Sequence, residues 1–205
     1  MRILLTGIDG SGKSTAARLL AEAVRARGGK VVLLRTPAGR RTMASWWAML
    51  GWTPGPQLQD LLETVARVCN ALLNEVRLIG FDGVVVVDRG IDCQLALREA
   101  RDLPRGFLLP WLRRLLPAPD VVAHLDLPVP VALDRVAARG TDVESMSGLA
   151  ALRSGYRALP EYQGFTLVDA DRPIGAVVQD LLDLTDHDLT GRHVDEGRDR
   201  HPSHH

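Results

Sequence analysis

The chain has few of the residues that mark secreted, disulfide-stabilised proteins. Its 205 residues include only two cysteines, Cys69 and Cys93, and neither belongs to a CxxC pair. Two separated cysteines cannot supply the disulfide framework with which small secreted domains compensate for a small core. We therefore expect a protein with reduced thiols, located in the cytoplasm.

The chain also lacks an excess of one charge and lacks long apolar runs. Lys+Arg and Asp+Glu are equal at 25 each, so no overall field attracts nucleic acid or an anionic membrane surface. No apolar run reaches the roughly 18 residues that a membrane-spanning helix needs. We expect neither nucleic acid nor a membrane as a partner, and the 46% hydrophobic content suits one α/β domain.

A glycine-rich stretch near the start carries the clearest motif. Residues 7–15 read Gly-Ile-Asp-Gly-Ser-Gly-Lys-Ser-Thr, follow an apolar run and open a segment with helical spacing. The pattern GxxxxGK[ST] between a strand and a helix is typical of a phosphate-binding loop, because its glycines let backbone N–H groups point at anionic oxygens. The motif predicts nucleotide binding, with Lys13 on the β- and γ-phosphates and Ser14 on Mg²⁺.

Apolar runs alternate with helical patterns along the rest of the chain. The predicted strands cover residues 3–5, 30–35, 84–87, 120–126 and 165–169. Strands separated by helices indicate parallel pairing with right-handed crossovers. We predict an α/β, three-layer P-loop fold with a five-stranded parallel sheet flanked by helices, including a long amphipathic helix from Leu58 to Ile79 and a closing helix from Pro173 to Leu184. Residues 1–186 would form this domain, and the polar, His-rich residues 187–205 a disordered tail.

The pair Asp88-Arg89 follows the run of valines at 84–87, at the strand end where parallel sheets bind ligands. It would place a carboxylate near the metal and a guanidinium beside the phosphates. Arginines recur on the segments expected near the phosphates, namely Arg35, Arg67, Arg89, Arg98, Arg135, Arg139 and Arg153. Charge neutralisation is most of what an enzyme supplies to phosphoryl transfer, so this pattern favours transfer between two anionic nucleotides over hydrolysis.

A phosphate-binding loop also occurs in proteins other than kinases. The only asparagines, Asn70 and Asn74, precede no lysine, so the guanine-reading NKxD motif of switch GTPases is absent. A P-loop protein that binds nucleotide without turnover and acts as a regulator stays open as an alternative.

Further motifs follow the phosphate-binding loop at regular intervals. They are Arg35 with Pro37 and Gly39, Leu61-Leu62 with Arg67, Asp88-Arg89, Pro119-Asp120, Leu125-Asp126-Leu127, Ala132-Leu133 before Arg135, Arg139-Gly140, Arg153 with Tyr156, and Val168-Asp169-Ala170. In these motifs and their spacing, from Met1 to about Leu184, the chain resembles the thymidylate kinase family of nucleoside monophosphate kinases.

The resemblance implies a kinase that uses ATP and Mg²⁺, takes dTMP as its default acceptor and forms a homodimer. The implied donor-site residues are Gly7, Asp9, Gly10, Ser11, Gly12, Lys13, Ser14, Thr15 and Arg135. The implied acceptor-site residues are Arg35, Arg67, Asp88, Arg89 and Gln94, with Ser14 and Asp88 toward the metal. Transfer itself would depend on Lys13, Arg89, Asp9 and Arg139, the last closing over the phosphates from the lid.

The expected acceptor pocket departs from the family. Glu63, Gly90 and Leu97 stand where the family has aromatic rings, and stacking of a base on a ring is worth ~1–3 kcal/mol in nucleic-acid sites. Tryptophans from the preceding segment, Trp46, Trp47 and Trp52, could replace those rings, but we expect them rather to fill the core or an interface. The lid between Gly140 and Arg153 is short and carries acidic residues, Asp142 and Glu144, without an arginine. These departures leave open a kinase for a modified nucleotide or another phosphorylated metabolite.

Overall fold

The computed structural model describes residues 1–35, 69–140 and 144–198 of the chain. Within them, five strands form one parallel sheet in the order β2-β3-β1-β4-β5. The strands are β1 (Arg2–Thr6), β2 (Val31–Arg35), β3 (Val84–Asp88), β4 (Val121–Asp126) and β5 (Thr166–Asp169). The predicted fold class, an α/β fold with a five-stranded parallel sheet, is confirmed.

The strands consist mainly of valine, leucine and isoleucine without polar alternation, as expected when helices cover both faces of a sheet. Register brings their carboxyl ends to one edge: Leu5 of β1 pairs with Asp88 of β3, and Thr6 pairs with His124 of β4. The loops that follow β1 and β3 therefore start side by side.

Six helices and one 3₁₀ helix are bounded within the described ranges. They are α1 (Lys13–Ala26), α2 (Ile91–Glu99), α3 (Leu108–Leu115), α4 (Val129–Arg139), α5 (Met146–Ala158), the 3₁₀ helix Pro160–Gly164, and α6 (Ile174–Arg198). None of these helices is long and apolar enough to cross a membrane.

Two predicted helices differ from what is seen. Of the predicted helix from Leu58 to Ile79, residues 69–77 are helical and residues 58–68 lie outside the described part. Helix α6 continues to Arg198, so its predicted end at Leu184 is wrong. The residues after Leu184 are polar, but polarity does not end a helix, and the chain has no proline between Pro173 and Pro202. The division into a kinase domain and a disordered tail stays a prediction.

Candidate active site

The loop after β1 is shaped by glycines in backbone conformations that other residues rarely adopt. Gly7, Gly10 and Gly12 have φ angles of 136°, 86° and 86°. A Cβ atom at Gly10 would lie 2.3 Å from the carbonyl oxygen of Ala132, and one at Gly7 would lie 2.5 Å from that of Leu125. Only glycine therefore fits where the loop passes against its neighbours, and the loop leads directly into the start of α1.

Lys13 is the first residue of α1, and its ammonium group lies inside the loop. Nζ donates hydrogen bonds to the carbonyl oxygen of Ile8 at 2.6 Å and to Oγ of Ser11 at 3.3 Å. Burial, together with the charge of Arg89, lowers the pKa of Lys13 to about 8, although Asp9 opposes this. The ammonium thus lies among the loop's backbone groups, where a bound phosphate would meet it.

Asp88 ends β3 with a buried carboxylate. Among the described residues its Oδ1 atom is one of two buried side-chain oxygens without a hydrogen-bond partner. A buried carboxylate oxygen left unpaired costs free energy, and Mg²⁺ or a water bound to Mg²⁺ would satisfy it. No group of three or more His, Cys, Asp or Glu that could hold a metal ion occurs in the described ranges. Mg²⁺ at nucleotide sites needs none, since one or two protein oxygens and the substrate's phosphates hold it.

Arg89 adopts a left-handed backbone conformation, with φ of 72°. This conformation is uncommon for a residue other than glycine and is found disproportionately at functional sites. The guanidinium Nη2 donates to Oδ1 of Asp9 in the loop. Burial alone would raise the pKa of Asp9, but the charges of Lys13 and Arg89 outweigh it and lower that pKa. An ionised carboxylate therefore stands between two cations at the mouth of the loop.

Helix α4 contributes two further arginines. Arg135 donates from Nη1 to the carbonyl oxygen of Ala170 at 2.9 Å, just beyond β5. Arg139 is the last residue of α4, and its charge also contributes to lowering the pKa of Asp9. Arg139 therefore acts electrostatically on the loop from the predicted lid side, and Arg135 lies beside the end of β5.

Two arginines of the predicted series hold parts of the fold together. Arg153 of α5 makes a two-pronged ion pair with Asp126 of β4, with both nitrogen–oxygen distances at 2.8 Å. Arg98 donates to the carbonyl oxygen of Pro104 in the turn after α2. Both side chains are thus engaged in contacts within the fold.

A cavity of about 700 Å³ opens beside the loop. Gly7, Asp9, Lys13 and Arg89 line it, and so does Gln94 of α2, so the predicted acceptor residue Gln94 shares this cavity with the loop. A Cβ atom at Gly90 would lie 2.9 Å from Cδ1 of Leu4. Leu4 therefore occupies the space that an aromatic residue at position 90 would enter.

Other predicted site residues are placed only in part. Arg35 ends β2 and its backbone pairs in register with Asp88, while Ser14 and Thr15 follow Lys13 on the exposed first turn of α1. The predictions for Arg67, Glu63 and Asp142, and those for the three tryptophans Trp46, Trp47 and Trp52, fall on positions outside the described residues.

The sequence reasoning missed a buried polar support beneath the loop. His124 of β4 lies 3.0 Å, Nδ1 to Oγ1, from Thr6, the residue just before Gly7. Its ring packs edge-on against Tyr156 and Tyr162. Burial lowers the pKa of His124 to about 4, so the ring is neutral near pH 7. In the sequence, this support is visible only as one histidine within an apolar strand, and a single histidine does not by itself predict a role.

Comparisons with known proteins agree with this geometry. A sequence model of the thymidylate kinase family matches residues 5–181. A probable thymidylate kinase of Pyrococcus horikoshii is 30% identical over 200 residues, covering 92% of this chain and 97% of the relative. A probable thymidylate kinase of Pyrobaculum calidifontis is 27% identical over 186 residues, covering 89% of this chain and 94% of the relative. A thymidylate kinase of Xanthomonas euvesicatoria is 29% identical over 209 residues, covering 96% of this chain and 90% of the relative.

The family match covers the end of β1, the loop, strands β2 to β5 and the cavity-lining helix α2. It confirms the predicted family, and with it the predicted enzyme class, a nucleotide phosphotransferase. The chain belongs to the thymidylate kinase family.

Proposed function

We propose that the protein transfers the γ-phosphate of ATP to dTMP with Mg²⁺, giving dTDP and ADP. The observation that supports this most is the meeting of four groups at one edge of the sheet. Lys13, the Arg89–Asp9 pair and the unpaired Oδ1 of Asp88 lie at the carboxyl ends of β1 and β3. Two cations and a carboxylate with an oxygen free for a metal ion are groups that phosphoryl transfer requires.

On the donor side, Lys13 would exchange its hydrogen bond with Ile8 for one with the β- and γ-phosphates. The N–H groups around Gly10 and Gly12 would cradle the same oxygens. Ser14 and Asp88 would hold Mg²⁺ directly or through water, and the metal would neutralise charge on the transferred group. Arg135 would lie against the adenine, which its place beside the end of β5 supports.

On the acceptor side, Arg89 and Arg35 would bind the monophosphate in line with the γ-phosphate, while Arg67 and Gln94 would face the base. Asp9 would hold the Arg89 guanidinium in place and contact the acceptor sugar or a water on the metal. Arg139 would supply positive charge to the transition state from the lid. No strong general base is needed, because the acceptor phosphate is already an anion and positioning supplies most of the rate.

We further propose that the protein is a cytoplasmic homodimer. The helical segment 69–77 and the turn after it expose the apolar side chains Leu72, Leu73, Val76 and Ile79. Among these, Val76 and Ile79 are 63% and 79% exposed, and an apolar face of this kind marks an association surface. Light scattering of Val76→Asp should then give half the mass of the unaltered protein, and an unchanged mass would contradict this surface.

The acceptor assignment is tested by coupled ADP release from MgATP, with dTMP, dUMP, dCMP, dGMP and dAMP offered separately and a control without acceptor. We expect turnover with dTMP well above the other four and above the control. Equal release with and without acceptor would mean hydrolysis. No release with any acceptor, while ATP still raises the melting temperature, would favour a nucleotide-binding regulator.

A further inference from the structure

Tyr156 of α5 is buried, at 1% exposure, and stands outside the groups assigned to the transfer. Its hydroxyl accepts a hydrogen bond from the backbone N–H of Gly7, the first glycine of the phosphate-binding loop. The same hydroxyl is hydrogen-bonded to the thiol of Cys93. One side chain of α5 therefore contacts both the loop that follows β1 and the helix that follows β3.

Close packing of α5 against α2 brings these groups together. A Cβ atom at Gly155, the residue before Tyr156, would lie 2.3 Å from the carbonyl oxygen of Ala96 in α2. Cys93 precedes Ala96 by three residues, so the two lie on the same face of α2. The contact between Tyr156 and Cys93 therefore depends on two helix backbones in direct contact, which leave no room for a side chain between them.

The ring of Tyr156 is held from the side of β4 as well. The ring of His124 packs edge-on against it, with the centroids 4.8 Å apart. One turn earlier on α5, Arg153 makes its two-pronged ion pair with Asp126 at the end of β4. These contacts fix both the ring and the helix that carries it, so the hydroxyl has a defined position beneath the loop.

Both hydrogen-bonding groups keep their protons near pH 7. Burial raises the pKa of Tyr156 well above its ordinary value and also raises the pKa of Cys93, although the charge of Arg89 opposes both shifts. A neutral hydroxyl can accept from the N–H of Gly7 while it donates its own proton to Sγ of Cys93. Cys93 lies in the first turn of α2, where its N–H donates to the carbonyl oxygen of Gly90 at 3.3 Å, and Gly90 directly follows Arg89.

We propose that Tyr156 is a positioning residue for the transfer: its hydroxyl joins Gly7, where the donor loop opens, to Cys93, just beyond Arg89, and so fixes the spacing between the donor and acceptor phosphates. The proposal rests on the proposed function, because the donor loop and Arg89 are the groups that Tyr156 would align. A misplacement of about 1 Å can cost about 100-fold in rate. Loss of the hydroxyl should therefore lower kcat more than it weakens the binding of either nucleotide.

The test compares Tyr156→Phe, which removes the hydroxyl and keeps the ring, with Tyr162→Phe. Tyr162 is the matched control, because it is the only other tyrosine and also packs edge-on against His124. Coupled ADP release from MgATP with dTMP gives kcat and both KM values. We expect kcat to fall about 30-fold in Tyr156→Phe, with both KM values within about threefold, and kcat to stay within about twofold in the control.

Two results of this comparison would overturn the proposal and leave the proposed function standing. One is an unchanged kcat in Tyr156→Phe, even with a lower melting temperature, since that would mean a purely structural role. The other is a fall of similar size in Tyr162→Phe. Absence of transfer to dTMP by the unaltered protein would overturn the proposed function and this proposal together.

Variants of Cys93 test the same contact from α2. Cys93→Ala removes the partner of the hydroxyl, whereas Cys93→Ser keeps a hydrogen-bonding group of similar size. We expect kcat to fall about tenfold in Cys93→Ala and to stay within about threefold in Cys93→Ser. Because residues that act through one contact give non-additive effects, Cys93→Ala combined with Tyr156→Phe should be no slower than Tyr156→Phe alone. Additive losses, with every variant folded by circular dichroism, would contradict the proposal.

Discussion

The two halves of the active site differ in how completely the chain itself builds them. On the donor side, glycines with no room for a Cβ, a buried lysine and an unpaired carboxylate oxygen come together within two adjacent loops. On the proposed acceptor side, Arg89 is held by Asp9, and the cavity beside it is lined by apolar and charged side chains alike. In the proposed function, donor recognition would depend on backbone geometry that tolerates little change, whereas acceptor recognition would depend on side chains, which can change without disturbing the fold.

The largest effect should come from Lys13→Ala, which removes the buried cation of the donor side. We expect kcat/KM to fall about 10³-fold, because the charge that develops on the transferred group loses a preorganised partner. Lys30→Ala is the matched control, since Lys30 is the only other lysine and is exposed. Coupled ADP release measures both, and activity of Lys13→Ala near that of the control would contradict the donor site.

Acid should lower the free energy of unfolding through His124, the buried residue beneath the donor loop. His124 has a pKa of about 4 because it is buried, against an ordinary 6.5. Between these values the unfolded chain binds a proton that the folded chain does not, so stability is lost as the pH falls through this window. The loss should reach about 3 kcal/mol.

Urea unfolding of the unaltered protein and of His124→Gln at several pH values between 4 and 7 measures this loss. The difference in unfolding free energy between the two proteins should change over the window. A constant difference would mean that His124 titrates normally in the folded state.

Alanine substitutions at two glycines distinguish the effect of a steric clash from the effect of backbone strain. Gly10 and Gly28 have similar φ angles, 86° and 81°, but a Cβ would collide with Ala132 only at Gly10. Gly10→Ala should weaken ATP binding about 100-fold by displacing the loop. Gly28→Ala should cost about 1 kcal/mol of stability through strain and leave ATP affinity unchanged. Isothermal titration and thermal unfolding distinguish the two, and equal ATP affinities would contradict the packing argument.

The smallest effect should come from Arg153→Ala, because that side chain is engaged with Asp126 rather than with a nucleotide. We expect a loss of about 1 kcal/mol of stability, since the pair is partly exposed, and kcat/KM for dTMP within about threefold of the unaltered protein. A large rise in KM for either nucleotide would contradict this and indicate that Arg153 contacts a substrate.

The donor side could be predicted from the sequence because its chemistry is local. The motif at residues 7–15 specifies a loop between a strand and a helix, and Asp88-Arg89 follows a strand whose apolar run marks it as central. Parallel pairing then brings the two loops together, as found. The family and the fold class, both confirmed, follow from these same features.

Other features depend on which side chains meet across the fold, and no spacing in the chain shows that. Two examples are the pairing of Arg153 with Asp126 and the contact of His124 with Thr6. The left-handed backbone conformation of Arg89 is likewise not marked by any motif. The length of α6 has a different cause: polar residues favour disorder in a sequence pattern but do not end a helix, and α6 continues through them to Arg198.

The most direct test of the central claim follows the γ-phosphate itself. The protein would be incubated with MgATP labelled in the γ-phosphate and with dTMP, and the labelled products separated by chromatography. The account predicts that the label appears in dTDP, and that Lys13→Ala slows its transfer about 10³-fold. Label recovered as inorganic phosphate, or left in ATP, would contradict a donor side built for transfer to a nucleotide.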